Sequence, residues 1–69
     1  MLSNDQEARI RFAYRVYSTG NSYGASASTV RIAMDLGDKV VEACGQVRTI
    51  DPVLFTRTAT GILNNSENN

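Results

Sequence analysis

Two stretches of this chain alternate apolar and polar residues as a strand would: Ile10, Phe12, Tyr14 and Val16, then Val30, Ile32, Met34 and Leu36. Period two must therefore be weighed against the helical period. Residues 28–47 decide between them. At 100° per residue, Arg31, Asp35, Asp38, Lys39, Glu42 and Gln46 share one wedge about 100° wide. The other positions from Val30 to Val47 are all apolar or glycine. A strand of that length would scatter the charges over both faces, so the run predicts a helix.

Capping residues agree. Ser3-Asn4-Asp5-Gln6 has capping-box spacing, a hydroxyl followed three residues later by an amide. Ser26 or Ser28 can cap the central helix, and Asp51-Pro52 places an N-cap before a proline at the first helical position. The prediction is an all-α chain of three helices, about 4–17, 27–48 and 52–63, with a long one in the middle. Ser18 to Ala25 is a polar loop with two glycines, Gly20 and Gly24. Residues 1–63 form a single helical domain, and 64–69 (Asn-Asn-Ser-Glu-Asn-Asn) read as a disordered tail.

The central helix carries an apolar arc of roughly 200°, about twice the usual stripe of a surface helix. Val30, Met34, Gly37, Val41 and Cys44 follow the 4-3-4-3 spacing of a helix-packing seam. Small residues at Ala33, Gly37 and Cys44 admit a second helix at close range. A chain of 69 residues buries only about 60% of its unfolded surface. Apolar surplus and small size together predict a homodimer through that seam.

Composition narrows the chemistry. There are seven basic and seven acidic residues, no histidine and one cysteine. Without histidine, the usual general acid–base group at neutral pH is missing. Lys39 sits four residues after Asp35, as in a solvated ion pair, and Cys44 falls in the apolar arc, where packing outranks reactivity. Asp35, Asp38 and Glu42 read as a solvated face. No phosphate-binding glycine loop is present. The expectation is a protein with no enzymatic activity, no metal and no cofactor. A signal-peptide pattern and a 20-residue apolar span are both missing, and one unpaired thiol suits a reducing compartment, so a soluble cytoplasmic protein is expected.

Three binding roles fit. In the first, a regulator or adaptor covers a protein partner, most naturally through Arg11, Tyr14, Arg15, Tyr17 and Tyr23, since tyrosine with arginine is the composition enriched at interface hot spots. In the second, Tyr23-Gly24-Ala25-Ser26-Ala27-Ser28-Thr29-Val30 resembles the passage from turn to recognition helix in helix-turn-helix repressors. That resemblance implies DNA contacts from Ser26, Ala27, Ser28 and Arg31. In the third, the apolar surplus builds a self-assembling structural subunit. Small size, no cofactor chemistry and an asparagine-rich tail resemble accessory proteins of phages and mobile elements. Of these, regulation by stoichiometric binding to a protein is the leading expectation.

Overall fold

The computed structural model describes residues 3–45 and 48–67. They form three α-helices: α1 (Asn4–Thr19), α2 (Ala27–Cys44) and α3 (Pro52–Glu67). The first helix is thus a helix, despite its alternating apolar residues.

Each start is built as its sequence prescribes. The Ser3 hydroxyl accepts from the Gln6 N–H at 3.2 Å, and the Gln6 amide oxygen accepts from the Ser3 N–H at 3.1 Å. Ser26, rather than Ser28, caps α2 by accepting from the Thr29 N–H. Asp51 caps α3, its carboxylate accepting from the Leu54 N–H at 2.8 Å. α1 ends at Gly20, which adopts φ 72° and donates its N–H to the Val16 carbonyl.

All three helix ends differ from expectation: α1 runs past 17 and takes Ser18 and Thr19 from the predicted loop. α2 stops at Cys44 rather than near 48, because Gly45 takes φ 67° and ψ −118°, which the helix cannot continue. The helices have 16, 18 and 16 residues, so the central one is not markedly long. Arg48 lies in the connection to α3, and Gln46 and Val47 lie outside the described residues. α3 in turn runs past 63 through Asn64 and Asn65 to Glu67, residues the composition assigned to the tail. Asn68 and Asn69 lie outside the described residues.

The core is Ile10 and Ala13 from α1, Ala33, Leu36 and Val40 from α2, Ile50, and Phe55, Ala59 and Leu63 from α3. Contacts between α1 and α3 run in opposite chain order. Tyr17 meets Ile50, Tyr14 meets Phe55, and Ile10 and Glu7 lie beside Thr56 and Thr60, so these helices are antiparallel. Phe55 is fully buried, with Tyr14 edge-on at 5.2 Å and Tyr17 tilted at 5.5 Å between ring centroids. Aromatic pairs at these distances add to simple burial.

The Tyr17 hydroxyl also accepts the Ile50 N–H at 3.1 Å, tying the α2–α3 connection to α1. Tyr17→Phe keeps the ring and orphans a buried N–H, at a cost of about 1–3 kcal/mol. Thermal denaturation should show the melting temperature falling by about 4–8 °C for each kcal/mol lost.

Candidate binding surface

One stripe of α1 holds Asp5, Ala8, Arg9, Phe12 and Arg15, spaced three or four residues apart so that they share a flank. With Thr29, Ile32 and Ala33 of α2, this flank forms an open crevice of about 370 Å³ lined by Asp5, Ala8, Arg9 and Phe12. Its floor is apolar: Phe12 is half-buried and Ile32 is 50% exposed.

Arg15 is held in place at the end of that stripe. Its guanidinium carbon lies 4.8 Å from the centre of the Phe12 ring, and one of its Nη atoms donates to the Tyr23 carbonyl at 3.1 Å. Local hydrogen bonds present Tyr23 there. The Asn21 carboxamide accepts the Tyr23 N–H at 2.8 Å, and the Thr19 hydroxyl accepts the Asn21 N–H at 3.1 Å while donating to the Arg15 carbonyl at 2.7 Å. Gly24 follows at φ 86°, a conformation suited to glycine. The Tyr23 side chain is 89% exposed.

Among the described residues the one ion pair joins Lys39 to Asp35 at 3.1 Å. Arg11 therefore makes no ion pair with Glu7 one turn before it, and Arg9, Arg11 and Arg15 are exposed with no carboxylate partner among the described residues. No cluster of three metal-binding side chains occurs among the described residues, and no helix there is long and apolar enough to cross a membrane.

No family model, curated protein or solved structure matches this chain.

The five residues proposed for partner binding divide in two. Tyr14 and Tyr17 are half-buried and pack on Phe55, so their rings serve the core. Arg11, Arg15 and Tyr23 are exposed, and the structure brings Arg15 and Tyr23 together. The signal for this division was present in the chain: Tyr14 and Tyr17 share the spacing of Ile10 and Ala13, the buried face of α1.

The residues of the helix-turn-helix resemblance sit together at the start of α2, where Ser26, Ala27, Ser28 and Arg31 are all exposed. The connection from α1 runs seven residues, Gly20 to Ser26, where that motif uses about three or four.

Part of the helix-packing seam is already used within the chain. Ala13 of α1, with Val16 and Tyr17, lies along Ala33 and Gly37, which are buried, in a second crevice of about 190 Å³. Cys44 and Val30 are half-buried, and the Cys44 thiol lies 3.6 Å from the Thr58 hydroxyl. Met34 and Val41 remain open at 54% and 41% exposure. Arg9 and the Phe12–Ile32 floor are the features sequence reasoning passed over; the spacing of Arg9, Phe12 and Arg15 was the available signal.

Proposed function

We propose that this chain is a small cytoplasmic regulatory or adaptor protein without enzymatic activity, acting as a homodimer by stoichiometric binding to a protein partner. The observation that carries the reading is the surface around Tyr23 and Arg15. A nearly fully exposed tyrosine stands beside a guanidinium fixed by a ring and a carbonyl. Tyrosine and arginine supply large contact area and several donors, and fixing the Arg15 guanidinium and the Tyr23 backbone beforehand lowers the ordering cost of association. The homodimer part rests on Met34 and Val41, the portion of the α2 seam that α1 leaves uncovered.

The test is capture from an extract of the source cells on immobilised protein. A protein partner should be retained in stoichiometric amount, and Arg11→Ala with Arg15→Ala should lose it while the helical circular dichroism is unchanged. Light scattering with a random DNA duplex at low salt supplies the contrary result. A shift of the protein onto DNA would promote the helix-turn-helix reading, which the exposure of Ser26, Ala27, Ser28 and Arg31 favours, and would overturn the protein-binding one. Masses far above a dimer would instead favour a self-assembling structural subunit.

A further inference from the structure

We infer that the crevice between α1 and α2 takes an acidic amphipathic helix of the partner. This rests on the protein-binding reading and adds the chemical class of what is bound. The groove supplies the apolar half of the match. Phe12, Ile32 and Ala8 form a floor beside which Asp5 and Phe12 are two turns apart, about 10 Å along α1 at 1.5 Å per residue. That length receives an apolar side chain, or two on successive turns, from a helix laid into it.

Charge supplies the other half. Arg9 lines the crevice and Arg15 lies over the Phe12 ring, while Arg11 lines the separate groove between α1 and α3. None of the three pairs with a carboxylate among the described residues. Asp5 is the one acidic residue of the lining. The local surface is thus an apolar strip bordered by the Arg9 and Arg15 guanidiniums, neither paired with a carboxylate among the described residues, and its complement is an apolar ridge bordered by carboxylates. Guanidiniums bind carboxylates in two-point fashion, and Arg15 is already oriented.

Nucleic acid fits this surface less well. The Phe12 face that a base would stack on is covered by Arg15, and aliphatic Ile32 and Ala8 offer no π surface. The chain as a whole has seven cations and seven anions, so no long-range field gathers a polyphosphate backbone.

Fluorescence anisotropy with three labelled probes tests the inference: a synthetic leucine–glutamate helix, its leucine–lysine counterpart and a single-stranded DNA oligonucleotide. The glutamate helix should bind with one-to-one stoichiometry and the other two should not. Arg9→Glu should weaken it by about tenfold or more at low salt, and less at high salt, as expected of exposed charges. Ile32→Asn should weaken it at all salt concentrations, while Arg57→Ala on α3 should leave it unchanged. Equal binding of the lysine helix, preference for DNA, or indifference to Arg9→Glu would each overturn the inference. So would a mass of twice 7.5 kDa for the protein alone that collapses on Arg9→Glu, since a second copy would then fill the crevice. A captured partner that is lost with Arg11→Ala and Arg15→Ala but retained by Arg9→Glu leaves the protein-binding reading standing and removes only the acidic class.

Discussion

Phe55→Ala should leave the chain largely unfolded at room temperature. Phe55 is fully buried and is the largest side chain so enclosed, with two tyrosine rings against it. Truncating a buried phenylalanine costs about 3–5 kcal/mol, part transfer free energy and part the cavity left behind. A chain of this length has roughly 3–10 kcal/mol in total, at about 0.05–0.15 kcal/mol per residue. The loss is therefore comparable to the lower part of that range. It is also hard to recover by collapse. Tyr17 is tethered through its hydroxyl to Ile50, and Tyr14 lies on the same turn of α1, so neither ring can move into the cavity without breaking other contacts. Urea denaturation followed by circular dichroism checks this. A folded variant losing less than about 1 kcal/mol would mean that the three helices are not held together through this cluster.

The three helices were legible because their starts are written locally. Ser3 with Gln6, Ser26, and Asp51 with Pro52 each satisfy backbone donors within three residues, so no distant contact is needed to place them. The ends were less legible. Gly45 sits at the margin of the polar wedge, and its neighbours Gln46 and Val47 extend the helical pattern, so periodicity alone carries α2 too far. Burial was the least legible of all. The wide apolar arc of α2 does not reveal that Leu36 and Val40 are enclosed while Ile32, Met34 and Val41 are open. That choice is made by where α1 and α3 lie, and α1 is drawn onto Ala33 and Gly37 because small residues admit it. At the candidate site the tyrosines and arginines were visible as composition. The placing of Arg15 between Phe12 and the Tyr23 carbonyl depends on the loop closing back on α1, and the spacing of residues eight apart does not specify that.

Adjacent valines on α2 give the sharpest contrast in expected effect. Val40 is fully buried and Val41 is 41% exposed. Val40→Asp would put a carboxylate among Leu36, Ile50 and Phe55, where no basic residue is enclosed to pair with it. An isolated buried charge costs several kcal/mol even when the group protonates to avoid it. With so small a reserve, Val40→Asp should abolish the cooperative thermal transition. The sequence pattern alone assigns Val41→Asp either unfolding or a split dimer, because both valines lie in the apolar arc. The structure separates them: the Val41 carboxylate would reach water, so the chain should keep its helical circular dichroism. Its effect should appear in molar mass instead. In the proposed homodimer, Val41 with Met34 is the apolar contact between copies, and a charge there would have to be desolvated twice across a two-fold axis. Wild-type protein should show twice 7.5 kDa by light scattering at micromolar concentration, and Val41→Asp should show the single mass while remaining folded. Wild type at the single mass would remove the homodimer from the proposal, and the Tyr23–Arg15 surface would then serve a monomer. Unfolding of Val41→Asp would show that the residue is enclosed in solution.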